Sequence, residues 1–375
     1  MPTKKQHYVP RIYLKDWETT VCNNTAPNPF SGVYTFEDKK DIGEGKKRES
    51  ILWERHIYTV LFSDIFIFGE ACPKILTDFA NQINIILKDV KNGPVYGKYG
   101  YHIIKTSSSI RKNLATINEW DFYYPDGRLA SKKNILNQIY NCKSYILEEA
   151  FDFYYERDWE VIKNEFINAV KSKLSTASFE NEIYISQETA ENILAFVLMM
   201  LCRHPNFDAM GIYQSIENYI LKPLFFSEEN TVDESEEENN ENEKFVDSFM
   251  QCIWKSELYK IFYKNSGGFY NNVIKMAWND LQMILYEVYD GAGEFITSDN
   301  PVFEHKSSVS LNNENGIIFS LSPRHLLFIA KGNDPINVVG FRYAKKKEIR
   351  YFNNVIFQNR NKIVISSKKT LDSLV

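Results

Sequence analysis

The side chains of this sequence that could do chemistry are far apart in the chain. His7 lies near the amino terminus, and Asp299 and Asn300 stand between an apolar run at 295–296 and a proline. A histidine with a carboxylate is the minimum for acid–base catalysis near neutral pH. The sequence therefore allows a hydrolytic site with His7 as the acid or base, Asp299 as a base or metal ligand, and Asn300 as an orienting group.

Further side chains could bind an anion or complete a set of catalytic groups at this predicted site. Glu156 lies among aromatic residues of a predicted helix and is the fourth candidate catalytic residue. Together with Asp299, either Glu156 or His7 could hold one divalent cation such as Mg²⁺ or Mn²⁺. Arginine clamps phosphates and other anions, and small hydroxyl side chains can support it. The predicted substrate-binding residues are Arg11, Arg203, Ser298 and Arg324.

Each of these residues also has a plainer structural interpretation. Asp-Asn-Pro is ordinary turn chemistry, so Asp299 could simply cap a turn. Arg203, followed by a histidine and a proline, could end a helix, because cations oppose the negative end of the helix dipole. Glu156 could lie on a solvated helix face, and His7 could belong to a terminus that docks on the core. Both an enzyme and a non-catalytic binding or sensor module therefore stay open.

The elements that must position these side chains change in character along the chain. Apolar residues recur at helical spacing over 71–90 and 133–174. The segment 190–203 is apolar nearly throughout, which predicts a central core helix. Beyond residue 280, short runs rich in Ile, Leu, Phe and Val alternate with turn residues and predict strands. This order indicates an α+β fold, with a helical amino-terminal and central part packed with a mostly antiparallel carboxyl-terminal sheet.

Composition and charge indicate a folded chain with a local acidic insertion. The 375 residues are 44% hydrophobic and 15% aromatic, and this length allows two domains or one large one. Residues 227–243 hold nine acids and no base, so we expect a disordered insertion there. Removing those nine charges from the formal −5 leaves +4. This mildly basic remainder permits a nucleic acid or a nucleotide as partner.

Several common functional classes lack support in the sequence motifs. No phosphate-binding Gly-x-x-x-x-Gly-Lys-Ser/Thr loop, dinucleotide-binding Gly-x-Gly-x-x-Gly, His-Glu-x-x-His or Gly-x-Ser-x-Gly occurs. The five cysteines are widely spread, which is typical of free thiols in a reducing compartment. Neither a signal sequence nor an apolar run long enough to cross a bilayer is found, so we expect a cytoplasmic protein with no membrane partner.

Short segments, taken in order, resemble the bacterial family of unknown function numbered 4238. They are Gln6-His7-Tyr8-Val9-Pro10-Arg11 with Tyr13-Leu14, Arg203 with Pro205, Thr297-Ser298-Asp299-Asn300-Pro301-Val302, Leu321-Ser322-Pro323, and Asn353 or Asn354. The family more often has threonine in place of His204, and the acidic insertion is not one of its features. The resemblance implies one large domain over 1–375.

Proteins of this family occur in bacteria and mobile elements, sometimes near phage-defence genes. The resemblance therefore implies a defence-associated hydrolase, either a nuclease or a toxin-like effector, acting on phosphodiesters or nucleotides. The alternative is the non-catalytic binding or sensor module, in which the same motifs are structural.

Overall fold

A computed structural model defines helices and strands for most of the chain. It describes residues 5–23, 26–39, 42–65, 72–174, 182–205, 236–262, 281–305, 316–332 and 334–371. The strands are β1 (Lys5–His7), β2 (Thr19–Asn23), β3 (Ala26–Phe36), β4 (Glu44–Lys46), β5 (Trp53–Arg55), β6 (Val60–Leu61), β7 (Tyr96–Tyr99), β8 (His102–Ile104), β9 (Asp121–Tyr123), β10 (Lys143–Ser144), β11 (Glu182–Tyr184), β12 (Leu281–Val288), β13 (Thr297–Ser298), β14 (Val302–His305), β15 (Gly316–Ser322), β16 (His325–Lys331), β17 (Val338–Ala344) and β18 (Val364–Ser366). The α-helices are α1 (Arg11–Leu14), α2 (Pro73–Lys88), α3 (Ser107–Asn113), α4 (Lys132–Tyr140), α5 (Ile146–Phe151), α6 (Trp159–Leu174), α7 (Gln187–Arg203), α8 (Glu236–Phe262) and α9 (Lys346–Asn359). Short 3₁₀ turns cover Lys15–Trp17, Arg48–Ser50, Phe62–Asp64 and Leu114–Glu119, and one π-helical turn covers Asp152–Glu156.

The chain divides into two compact units, each built from segments that are far apart in sequence. The helical unit contains His56–Phe151 and Asp208–Tyr263. The sheet unit contains Thr3–Arg55, Asp152–Phe207 and Lys264–Val375. The single large domain over 1–375 that the family resemblance implies stays a prediction.

The sheet unit has the expected combination of helices and mostly antiparallel strands. Its larger sheet has the order β11-β17-β12-β16-β15-β14, and every pairing in it is antiparallel except β12 with β17. A second sheet has the order β13-β18-β3-β2, with β4 also paired to β3. The protein therefore has an α+β fold.

The amino-terminal part also contributes strands to the fold. The described residues between 5 and 61 form β1 to β6 together with short helical turns. Strand β3 takes β18 as an antiparallel partner over a long sequence distance, and Phe36 lies opposite Val364. A partner so far away in the chain gives no local signal in the sequence.

Stacked aromatic rings form the core beside the larger sheet. Tyr13 of α1 stacks on Phe319 of β15, with ring centroids 5.3 Å apart. Trp159 of α6 stacks on Phe196 of α7, with centroids 3.8 Å apart, and also contacts Phe319 at 5.9 Å. All four rings are buried. Burial of large aromatic side chains contributes strongly to the stability of such a core, so α1, α6 and α7 are held against β15.

Helix α7 positions the polar residues at its carboxyl end. Ser186 caps the first turn, because its hydroxyl accepts a hydrogen bond from the backbone N–H of Thr189 at 3.1 Å. Ten residues of the helix are buried, in agreement with the predicted core helix. The helix ends at Arg203, and His204 follows in extended backbone. Its buried length therefore fixes where these two side chains lie.

The helical unit is organised around α2. Proline occupies the first position of α2, where the missing N–H costs nothing, and Ile75, Phe79, Ile83 and Leu87 recur on the buried face. The unit also contains a three-stranded antiparallel sheet of order β8-β7-β9. No helix among the described residues is long and apolar enough to cross a membrane.

The acidic insertion is only partly described. Residues 227–235 lie outside the described residues, whereas 236–243 form the first turns of the 27-residue helix α8. For this second part the structure differs from the expected disorder. Glutamate is a good helix former, and the buried residues Val246, Cys252 and Trp254 anchor the part of the helix that follows.

Candidate functional site

His7 lies on β1, which pairs with β5 in the sheet unit. Its Nδ1 is 3.1 Å from the carbonyl oxygen of Ile51. A carbonyl only accepts hydrogen bonds, so Nδ1 donates and Nε2 keeps its lone pair. Burial, together with the nearby positive charges of Arg11 and Arg203, lowers the pKa of His7 to about 4. The ring is therefore neutral at neutral pH.

Arg203 connects the carboxyl end of α7 to two other segments. Its Nη1 donates to Oε1 of Glu156 at 2.8 Å, and its Nη2 donates to the backbone carbonyl of His7. The Arg203 side chain is 3% exposed and that of Glu156 is 23% exposed. A guanidinium so nearly buried requires such partners, since an unpaired buried charge is costly. Three of the predicted site residues thus meet at one ion pair.

Asp299 lies at the corner that follows β13 and is 2% exposed. Its Oδ1 accepts the backbone N–H of Asn361 at 2.9 Å. Its Oδ2 accepts the N–H groups of Lys362 and Ile363 at 2.7 and 3.0 Å. Burial raises the pKa of Asp299, and these backbone hydrogen bonds oppose that rise. Three of about four acceptor positions on the carboxylate are thereby filled by the protein's own backbone.

His204 links the end of α7 to the Asp299 corner. Its Nε2 is 2.9 Å from Nδ2 of Asn361, the residue whose backbone N–H binds Asp299. A hydrogen bond to the backbone of Asp299 raises the pKa of His204, but burial lowers it more strongly, to about 4. Tyr8 packs edge-on against the His204 ring at 5.6 Å. The amino terminus, the end of α7 and the Asp-Asn corner therefore converge in the sheet unit.

The other polar residues of this corner bind neighbouring backbone. The Ser298 hydroxyl donates to the carbonyl of Asn300 at 2.9 Å and accepts the Asn300 N–H at 3.1 Å. The Asn300 side-chain amide donates to the carbonyl of Asn359 at 3.0 Å. Thr297 Oγ1 is 2.7 Å from the Tyr13 hydroxyl, which also donates to the carbonyl of Ser320 at 2.8 Å. These contacts fasten the corner to α1, β15 and the end of α9.

Asn353 on α9 makes a similar attachment. It is fully buried, its Oδ1 accepts the N–H of Ile296 at 3.0 Å, and its Nδ2 donates to the carbonyl of Glu294 at 2.9 Å. The Glu294 carboxylate accepts from the backbone N–H of Ser367 at 3.1 Å and from two serine hydroxyls. The segment before Asp299 is therefore held on both sides by buried side chains.

Two predicted substrate-binding residues lie at the margin of this cluster or outside it. Arg11 is exposed, and its carbonyl accepts a hydrogen bond from Arg48 at 2.8 Å. Arg324 donates to Asp290 at 3.1 Å and lies 3.8 Å from Glu287. None of the contacts described for Arg324 involves Arg203, His7 or Asp299. The predicted pairing of two arginine clamps is thus not formed by these side chains.

A second polar cluster, which the sequence prediction missed, surrounds Glu287. This residue lies opposite His325 in the pairing of β12 with β16, and its Oε1 accepts from Lys171 at 2.8 Å. His325 Nδ1 is 3.0 Å from the Ser322 hydroxyl. Two buried atoms, Oε2 of Glu287 and Nε2 of His325, have no hydrogen-bond partner within the described residues. A lone carboxylate inside an otherwise apolar predicted strand was the signal that could have indicated this cluster.

The described residues do not supply a metal site at the convergence point. Among them, no three His, Cys, Asp or Glu side chains gather closely enough to hold a metal ion. A cavity of about 690 Å³ lies in the helical unit, where Lys74, Asp78, Arg111, Lys143 and Glu149 are among its lining residues. None of the residues predicted for the site lines this cavity.

Comparison with known proteins identifies a family and no characterised relative. A family model described as "Protein of unknown function (DUF4238)" matches residues 5–370. No curated protein and no solved structure matches the chain.

Proposed function

We propose that this chain, which belongs to the DUF4238 family, is a non-catalytic binding or sensor module whose shared motifs lock the amino-terminal segment to the carboxyl-terminal sheets. One observation supports this most directly. The Asp299 carboxylate is 2% exposed and binds three backbone N–H groups. A general base or a metal-binding carboxylate must offer a free oxygen lone pair toward a substrate or ion. Most of the acceptor positions of Asp299 are instead occupied by hydrogen bonds from the protein backbone.

The neighbouring motif residues support the same interpretation. Ser298, Asn300 and Thr297 make their described hydrogen bonds with nearby backbone or with another motif side chain. Arg203 acts in the same way, because it joins Glu156 of one segment to the carbonyl of His7 in another. We call the contacts of Arg203 and of the Asp299 corner the lock. In this proposal a ligand is bound elsewhere on the surface, and the lock keeps the chain's first residues in place.

The second candidate is a defence-associated hydrolase acting on phosphodiesters or nucleotides. It is favoured by one specific observation at His7. The ring is half-buried and neutral, with Nδ1 directed to Ile51 and no hydrogen bond to Nε2 among the described residues. An unprotonated imidazole nitrogen can accept a proton from a substrate or a water molecule.

The two candidates are separated by comparing the wild type with His7→Gln, Asp299→Asn and a control, His102→Gln, in an exposed histidine of the helical unit. Purified proteins are incubated with single-stranded and duplex nucleic acids and with nucleotides, with Mg²⁺ or Mn²⁺, and the same variants are expressed to measure growth inhibition. A binding module gives no cleavage with any of the four proteins. Cleavage by the wild type and His102→Gln that is lost in a folded His7→Gln protein would reject the module and establish the hydrolase.

A further inference from the structure

The three-stranded sheet of the helical unit has one face toward the core and one face toward solvent. Gly97 of the central strand β7 marks the core side, because a Cβ there would lie 2.9 Å from the Trp120 ring. Phe122, opposite Gly97 on β9, is buried. Side chains alternate along a strand, so Tyr96 and Lys98 point to the other face. We call this other face the tyrosine–lysine face, formed by Tyr96, Lys98, Ile103, Lys105 and Tyr123 together with Asp121, which lies opposite Lys98 and forms an ion pair with Lys132 at 3.7 Å.

Aromatic and apolar groups are exposed on and beside the tyrosine–lysine face. Tyr96 and Tyr123 are partly buried cross-strand partners, and their rings stack on each other with centroids 5.9 Å apart and planes at 27°. Ile103, opposite Lys98, is 55% exposed. At the turn between β7 and β8, Tyr101 is fully exposed. Several such groups together on a small sheet are typical of a recognition surface.

Positive charge surrounds these rings. Lys105 Nζ lies 4.7 Å from the centre of the Tyr96 ring, and Lys98 forms no ion pair within the described residues. Residues 91–133, all of which are described, include eight lysines and arginines and three aspartates and glutamates. The formal charge of this segment is therefore +5, in a chain whose total formal charge is −5. This segment is therefore a local basic region in an acidic protein, and a polyanion would be attracted to it.

We propose that the tyrosine–lysine face binds single-stranded nucleic acid. Lys98 and Lys105 contact phosphates, and the exposed ring of Tyr101 beside the face stacks on an unpaired base. Ring stacking requires bases whose faces are open, which a duplex does not offer, so the aromatic groups select the single strand. This site lies in the helical unit, has no residue in common with the lock around Arg203 and Asp299, and goes beyond the proposed function.

The test measures binding of the full chain to a labelled oligodeoxythymidine of about 16 nucleotides by fluorescence anisotropy over a series of salt concentrations. Each lysine–phosphate contact adds about 0.7 to the slope of log K against log salt for single strands. We therefore expect Lys98→Gln with Lys105→Gln to reduce that slope by about 1.4. Replacing the exposed Tyr101 by Leu should weaken binding about 5- to 150-fold and leave the slope nearly unchanged, because stacking involves no counterion.

The matched control changes the same number of charges at exposed lysines of the sheet unit, with Lys346→Gln and Lys347→Gln. It should bind as the wild type does, and thermal unfolding of each variant checks that it is folded. Absence of binding to the oligonucleotide would overturn the proposal, and so would an equal loss in the control and in the Lys98/Lys105 variant. Binding to anionic phospholipid vesicles without binding to the oligonucleotide would also overturn it and would indicate a membrane surface as the partner.

Discussion

The ion pair of Arg203 with Glu156 gives a quantitative test of the lock, because the same unit contains an exposed pair for comparison. In the buried pair Nη1 and Oε1 are 2.8 Å apart, with side chains 3% and 23% exposed. In the exposed pair, Lys15 and Glu160, the charged atoms are 2.6 Å apart, but the side chains are 51% and 43% exposed. The separations are similar, so burial is the property that distinguishes the two pairs.

The expected energies follow from burial and from the partners left behind. Arg203→Met leaves the Glu156 carboxylate and the His7 carbonyl without their donor, and should lower the free energy of unfolding by about 3–5 kcal/mol. Glu156→Gln keeps a neutral acceptor and should cost about 1–2 kcal/mol. When the Arg203→Met/Glu156→Gln double variant is also measured, the double-mutant cycle should give a coupling energy of about 1.5–3 kcal/mol between the two side chains. The corresponding cycle of Lys15→Met and Glu160→Gln should give a coupling energy below about 1 kcal/mol.

Urea unfolding followed by far-UV circular dichroism and tryptophan fluorescence measures all these values, and coincident transitions of the two probes test whether a single unfolding step applies. Cooperative loss of the sheet unit is the relevant transition. If the two cycles gave the same small coupling, Arg203 would not be a structural clamp. The lock would then lose its central contact.

Three further results are expected from the same cluster. Asp299→Ala removes the acceptor of three buried N–H groups and should lower the free energy of unfolding by about 3–5 kcal/mol. Asp299→Asn should lower it by about 1–3 kcal/mol. If urea unfolding showed a loss below about 1 kcal/mol for Asp299→Ala, Asp299 would not anchor the 361–363 backbone. Tyr13→Phe should cost about 1–2 kcal/mol by the same assay, because the hydrogen bonds to Thr297 and Ser320 disappear while the ring stays, and an unchanged midpoint would argue against them. The pKa of His204 falls from 6.5 to about 4 on folding, so between these pH values the unfolded chain takes up a proton that the folded chain refuses, and stability should fall as the pH is lowered. His204→Gln should make this fall shallower when unfolding is measured at several pH values, and an identical slope would show that the ring is already protonated in the fold.

Local signals in the sequence predicted helix α7 and the Asp299 corner. An apolar segment ending in Arg203 could hardly be anything except a buried helix, and a proline after Asn300 required a corner there. These features depend on neighbouring residues, so they are visible in the sequence. The polar character of Asp299 was equally visible. Its partners were not, since the N–H groups at 361–363 belong to backbone and carry no side-chain signature.

Long-range pairing was the part that the sequence could not show. Strand β3 finds its partner β18 more than 300 residues later, and Glu287 meets His325 only because β12 and β16 pair in one register. A shift of one residue in that register would place both side chains on the opposite face. Register depends on the packing of the whole sheet, so local composition could indicate the strands and the lone carboxylate of Glu287, but not the partners of that carboxylate.

Convergence alone does not distinguish a lock from an active site, because both bring distant polar residues together. The distinction lies in where each polar atom directs its hydrogen-bonding capacity. Asp299, Ser298 and Asn300 direct theirs to backbone, and a buried group so satisfied has little left for a substrate. Nε2 of His7 and Oε2 of Glu156 are atoms at this site that accept no hydrogen bond among the described residues. Any catalysis here would therefore depend on these two side chains, while Asp299 would contribute only by keeping the fold in place.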